Sequence, residues 1–295
     1  MGITVAGGTF EQREELLERL RQGPGEVARQ VVMPGTNAPA PNRWTLRTIR
    51  ASVDWLRDYT LSGVWYWLKR NGIQLRSARV QQWSPDEEYL SKRDHLLECL
   101  QATARHPEET VLLFLDEMGY YRWPVETRVW WATAPAEPAV AERGGGNNTQ
   151  WRIVGVLNAL TGQVNYLDNY IVGRRQLIEM YKHITDIYPN ARRIWVVQDN
   201  WSIHQHPDVL EALQTWPQIE PVWLPTYSPW LNPIEKLWRW LRQDVLKMHR
   251  WWADHKILRS QVRAFLDQFA KGSPELLHYV GLLGEGKLAQ ALICQ

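Results

Sequence analysis

Apolar residues recur along this chain with two different periods, and the change between them divides it. Leu46, Ile49, Val53 and Leu56 fall at helical steps and predict a helix over residues 44–56. After a break at Arg57–Thr60, Leu61, Val64, Trp65 and Leu68 mark the face of a second helix, ended by Asn71-Gly72. Upstream, EQREELLERLR (residues 11–21) reads as a short amphipathic helix, and the Gly-, Pro- and Asn-rich residues 22–43 read as a linker. A connecting helix is expected over residues 84–105. Ser84 would cap it, Pro85 would open it, and Asp86, Glu87 and Glu88 would face its positive end.

From residue 111 the pattern alternates between strands and helices. VLLFLDE (111–117), RVWWATA (128–134), WRIVGVLNAL (151–160), QVNYLDNYI (163–171), RRIWVVQDN (192–200) and PVWLP (221–225) read as strands. Thr161-Gly162 makes a hairpin of the third and fourth. Residues 135–150 read as a loop. Helices are expected over 174–188, with Leu177, Met180, Tyr181 and Ile184 on one side, and over 206–216 and 232–246, with more to the C-terminus. A meander of strands followed by strand–helix alternation predicts an α/β fold, a mixed sheet with flanking helices behind a small helical region. The pair over 44–72 has the form of a helix-turn-helix, although a plain helical hairpin has the same local pattern. The expected division is 1–105 for the helical region with its connecting helix, 106–250 for the sheet domain, and 251–295 for terminal helices.

Composition fits a globular protein: 295 residues, 44% hydrophobic and 22% charged. No apolar run approaches the roughly 20 residues that cross a bilayer. The N-terminus has no signal-peptide pattern, and Cys99 and Cys294 suggest neither a zinc site nor a disulfide framework, so a reducing, cytoplasmic setting is expected. Net charge is only +2, but its distribution is uneven. Arg43, Arg47, Arg50, Arg57, Lys69, Arg70, Arg76 and Arg79 face only Asp54 and Asp58 between residues 41 and 83, which suggests either a polyanion partner or a solvated basic surface. The 18 tryptophans include Trp130-Trp131 and Trp251-Trp252, which could stack on bases but read more simply as packing residues.

Three acids carry the candidate chemistry. Period 2 puts Leu112, Phe114 and Asp116 on one face of a central strand, and Trp195, Val197 and Asp199 on one face of another. Ligands gather at strand C-termini in open α/β sheets. Two aspartates there would repel each other unless a cation lay between them. Oxygen donors without His or Cys favour a hard ion such as Mg²⁺ or Mn²⁺. Each aspartate could equally be a turn former. Glu235 sits behind Asn232-Pro233, where Asn232 would be the N-cap and Glu235 the third position of a capping box. A cap and a ligand are compatible roles. Glu117 lies on the opposite face from Asp116 and is not expected to be a ligand.

LFLDEMGYYRWP, VVQDNWSIHQHPDV and LPTYSPWLNPIEKLW, in that order, resemble the bacterial IS630 transposases of the Tc1/mariner superfamily. The matching positions are Asp116-Glu117, then Asp199-Asn200 with Ser202 and His204, then Ser228-Pro229 through Asn232-Pro233-Ile234-Glu235. The resemblance covers roughly residues 41–250. It implies an RNase H-like domain in which Asp116, Asp199 and Glu235 are both the catalytic triad and the ligands of two Mg²⁺ ions, with Mn²⁺ as a substitute. It also implies a bacterial, nucleoid-associated enzyme that cuts double-stranded DNA at terminal inverted repeats. The enzyme would join the 3′-hydroxyl ends into TA targets, as a homodimer on DNA and without a membrane. Arg43, Arg47, Arg50, Lys69, Arg70, Arg76 and Arg79 would contact DNA, and Asn200, His204 and Asn232 would support the triad. Relatives usually carry two N-terminal helix-turn-helix units, and the first 40 residues here show no clear first one. A catalytically silent DNA-binding derivative and a stand-alone RNase H-like nuclease fit the same residues.

Overall fold

The computed structural model describes residues 9–24, 43–76, 83–129 and 139–292. The chain folds as two compact units, residues 1–81 and 82–295.

The first unit is helical. Thr9 caps α1 (Phe10–Gln22) through a reciprocal pair of hydrogen bonds with Gln12. The first of the two expected helices forms as α2 (Leu46–Ser52) and then tightens into a 3₁₀ turn over Asp54–Leu56. The second forms as α3 (Leu61–Arg70), capped by Thr60. Gly72, at φ 73°, ends it in the left-handed conformation that glycine adopts freely. Ile49, Val53, Leu56, Val64, Trp67 and Leu68 are buried together, and Leu16 of α1 is buried among them. The N-terminal helix is therefore a third member of this small core. The expected face of α3 needs one correction: Trp67 is buried and Trp65 is exposed.

The second unit is built on a five-stranded sheet of order β3-β2-β1-β4-β5. Its strands are β1 (Thr110–Tyr121), β2 (Gln150–Asn158), β3 (Val164–Asn169), β4 (Arg193–Gln198) and β5 (Ile219–Trp223). β1–β2 and β2–β3 pair antiparallel; β1–β4 and β4–β5 pair parallel. This is the expected mixed sheet with flanking helices. The strand expected over 128–134 does not form at Arg128 or Val129, and residues 130–134 lie outside the described residues.

Period 2 buries the sheet on both sides. On one face Leu113, Leu115, Val154, Val156, Ile194 and Val196 meet α5 (Arg174–Ile187) and α6 (Pro207–Leu213). Leu177, Met180, Tyr181 and Ile184 supply the stripe of α5, as their spacing predicts. On the other face Leu112, Phe114, Met118, Tyr120, Ile153, Trp195 and Val197 join a larger core. Side chains from α4 (Tyr89–Arg105), α7 (Ile234–Leu241), α8 (His255–Asp267) and α9 (Pro274–Val280) complete it. The same core includes Ala291 of α10 (Lys287–Leu292), so the residues beyond 250 belong to the packing of the sheet.

The edge strand β3 is tied down by charge. The Asp168 side chain is 2% exposed and accepts hydrogen bonds from Arg259 and Arg263 of α8 and from the Tyr120 hydroxyl. A buried carboxylate is tolerable only when so paired.

The β2–β3 hairpin turns at Gly162, φ 68°, pressed against the chain that opens α9. A Cβ there would stand 2.5 Å from the Ser273 carbonyl oxygen. Gly162→Ala therefore adds a left-handed strain and a backbone clash, and it should lower stability by about 1–3 kcal/mol in urea denaturation. An unchanged midpoint would show that the turn relaxes freely.

Candidate active site

Asp116 lies inside a strand rather than at its end. The sequence pattern places the close of the strand at Glu117; it runs on to Tyr121 because Met118 and Tyr120 continue the inward alternation and residues 118–121 pair with β2. The partner on the other side gives out first. β1 and β4 last pair at Phe114 and Val197, and β4 ends at Gln198. Two residues further on, Asp116 and Asp199 stand at the same level, where the parting of β1 and β4 leaves room between them.

That room is a cavity of about 560 Å³ lined by Asp116, Asp199 and Glu235, together with Asn200, Trp201 and the 224–229 loop. The three acids that the pattern selects are thus brought to one cavity. Asp116 is partly buried, and its carboxyl is pushed well above the ordinary range, first by loss of hydration and then by the charges of Glu235, Glu117 and Asp199. Glu235 is raised for the same first reason, with Arg242 and Arg239 opposing the rise. Asp199 is more open, its side chain 57% exposed.

The Asp116 carboxylate has a fixed orientation. The buried Trp238 indole donates to its Oδ2 at 2.9 Å. Gly155, opposite Asp116 on β2, makes room for that indole, since a Cβ there would meet the Trp238 ring at 2.8 Å. Trp238 is a site residue that the sequence pattern hides, because a tryptophan on the apolar stripe of a helix looks like core.

The capping box expected at Glu235 does not form. Among the described residues no side chain caps α7 and the buried Asn232 Oδ1 has no partner; the Asn232 amide instead donates to the Leu115 carbonyl at 3.2 Å. Packing of the helix start against β1 outweighs the local cap. Glu235 is left to face the cavity, in the first turn, where the helix dipole favours a negative charge.

Of the three residues expected to support the triad, Asn200 and Asn232 line the cavity and His204 lies beside Asp199. Asn200 donates to the Leu224 carbonyl at 2.9 Å, tying the end of β4 to the loop after β5. His204 is buried, with Nε2 3.4 Å from Glu117 and 3.5 Å from Asp199. Glu117 reaches His204 from the opposite face of β1, away from the cavity. Chemically the acids suit a hard divalent cation: all donors are oxygen, and their mutual repulsion would be relieved by positive charge. Among the described residues, no three His, Cys, Asp or Glu side chains are already drawn together at ligand distance. Like charges without a cation have reason to stay apart.

The basic residues of the first unit divide. Arg43, Lys69 and Arg76 line one groove of about 1060 Å³ with Trp44, Trp65 and Leu75, and Lys69 lies 5.1 Å from the Trp65 ring. Arg47 and Arg50 are not part of that lining, Arg70 is exposed at the end of α3, and Arg79 lies outside the described residues. Of the tryptophan pairs, Trp251 packs on the large core and Trp252 donates to Glu142, while Trp130-Trp131 lies outside the described residues.

A carboxyl whose folded pKa is raised contributes stability that is complete below its unfolded value and is lost as pH rises through the folded value. Asp116 and Glu235 both have this sign, so the ion-free protein should weaken from the ordinary carboxyl range upward. Asp116→Asn removes its share of that loss. In chelator, its stability relative to wild type should improve as pH rises from about 4 toward neutrality. A difference that stays flat across that range would rule out the burial of Asp116 as a charged group.

The DDE superfamily endonuclease family matches residues 111–259, which hold all three acids. The IS630 insertion element 39 kDa protein of Shigella sonnei is 25% identical over 240 residues, 79% of this chain and 67% of that protein. Among solved structures, the Mos1 transposase pre-cleavage transpososome is similar with a TM-score of 0.62 at 17% identity, covering 99% of this chain and 79% of the other. The Mos1 paired-end complex with the left transposon end gives a TM-score of 0.60 at 16% identity, over 99% and 79%. These likenesses carry the RNase H-like fold. With the family match over half of its length, the chain belongs to the DDE superfamily endonucleases.

Proposed function

We propose that this protein cuts and joins DNA at the ends of its own element, with Asp116, Asp199 and Glu235 as the catalytic carboxylates. The single observation that carries this reading is their convergence on one cavity where β1 and β4 part. Residues 41–83 would bind terminal inverted repeats in duplex DNA, and residues 108–250 would carry out cleavage and joining at TA targets, as a homodimer in the bacterial nucleoid. The Mos1 complexes with transposon-end DNA, and those with Mn and Mg, support DNA as the partner and a divalent ion as the cofactor.

Mg²⁺ or Mn²⁺, held as two ions by the three acids, would supply charge stabilisation at the attacking and leaving oxygens. The residues of this chain do the rest. Trp238 holds Asp116 Oδ2, which leaves its other oxygen to the cavity. Asn232 anchors the start of α7 on β1 and so sets the position of Glu235. Asp199, exposed at the end of β4, is the ligand best placed to meet an ion arriving with DNA. Arg43, Lys69 and Arg76 of the groove, with Arg47, Arg50, Arg70 and Arg79, would contact phosphates.

The test uses purified protein with the DNA that flanks its gene and Mn²⁺. Asp199→Ala and Glu235→Gln should each abolish cleavage and retain DNA binding. The glutamine is informative because it removes charge at a position with no capping bond to lose. Cleavage by either variant would break the triad assignment. Lys69→Ala should reduce the slope of log affinity against log salt by about 1 without changing cleavage of bound DNA. An unaltered slope would take Lys69 out of the DNA contact.

A further inference from the structure

We propose that Tyr227 is a base-stacking platform beside the acidic cavity, and that it receives a DNA base unstacked from its neighbours next to the cleavage point. The proposal rests on the nuclease reading above and names a contact through which the site would hold its substrate.

Four observations point to this residue. Tyr227 lines the cavity that holds Asp116, Asp199 and Glu235. Tyr227 is 78% exposed, and among the described residues it makes no hydrogen bond or ring contact. The other aromatic groups nearby are occupied: Trp201 packs edge-on against His204, and the Trp230 indole donates to the Tyr89 hydroxyl. The backbone of Tyr227 has φ +55°, a left-handed conformation that residues with a side chain avoid.

A strained conformation persists only where its surroundings over-determine it. Here they do. The Thr226 N–H donates to Asp86 Oδ2 at 2.8 Å, and Ser84 Oγ donates to the Thr226 carbonyl at 2.5 Å. Asn200 holds the Leu224 carbonyl on the other side, and Pro225 and Pro229 stiffen the chain between. The Asp86 carboxyl is held at about 2, first by the Thr226 N–H and then by Lys92, so this brace stays charged at any working pH. Ser84 and Asp86 therefore do not cap α4, as their sequence suggests; the helix starts at Tyr89, and they fix a loop some 140 residues further along.

The chemistry of the place selects a nucleobase. Three carboxylates repel a bare phosphate, so the backbone alone is a poor first contact. The flat face of a base has no such penalty, and every base presents one to an aromatic ring. An aromatic ring held in a set orientation costs little to order on binding, which is what the braced backbone supplies.

The test is a forked DNA duplex with 2-aminopurine in one single-stranded arm, bound in Ca²⁺. Stacking quenches this fluorophore. Wild type and Tyr227→Phe should quench it and bind the fork equally. Tyr227→Ala and Tyr227→Gly should lose the quench and bind roughly tenfold more weakly. The glycine variant separates ring from backbone, since glycine takes φ +55° without strain and should leave the thermal midpoint equal or higher. A wild-type protein that gives no quench, or a glycine variant that quenches like wild type, overturns the proposal. Cleavage in Mn²⁺ is measured separately. Ring-dependent quenching without cleavage keeps the platform and removes the nuclease; cleavage with ring-independent quenching does the reverse.

Discussion

Repulsion among three carboxylates in a partly dry cavity is the constraint around which the second unit is arranged. Left to themselves, such groups would spread into water. Asp116 cannot, because it is held inside a central strand with Phe114 and Met118 buried on the same face. Loss of hydration first, and then the charges of Glu235, Glu117 and Asp199, push its carboxyl up. A cation relieves such a cost most where it is largest, so a site that is uncomfortable when empty is suited to binding one.

The rest of the fold keeps the acids from escaping. The pairing of β4 with β1 stops two residues before Asp116, and that early stop makes the cavity. Gly155 gives up its side chain so that Trp238 can reach Asp116. Asn232 gives up its cap so that α7 can dock on β1. The helices beyond residue 250 complete the core under α7, and Asp168 locks the edge strand to α8. Each of these is a packing arrangement whose effect is felt at a carboxylate.

The loop from Leu224 to Asn232 shows the same logic at the surface. It brings Glu235 back to the sheet edge, and it is fixed by residues from the far end of the unit, Ser84 and Asp86. These two lie outside the stretch that matches the endonuclease family, residues 111–259. The segment between the basic first unit and the sheet therefore does more than connect them, because it sets the shape of a loop that lines the acidic cavity.

Much of this was written in the chain itself. Alternation over VLLFLDE and RRIWVVQDN assigns Asp116 and Asp199 to the face that carries the larger core, because side-chain direction in a strand is a local property. The stripe of α5 and the turn at Gly162 follow from spacing alone for the same reason. What the chain could not show was which local preferences would be overruled. Asn232, Glu235, Ser84 and Pro85 all carry helix-start signals, yet Asn232, Ser84 and Asp86 bind carbonyls and amides from distant elements. Trp65 and Trp67 are equivalent to a pattern reader, and only the position of α1 and α2 decides which is buried. Trp238 reads as core, and it is core; that its one polar atom reaches Asp116, 122 residues away, depends on how α7 crosses the sheet. Local periodicity sets which way a side chain points, whereas long-range packing decides what it meets there.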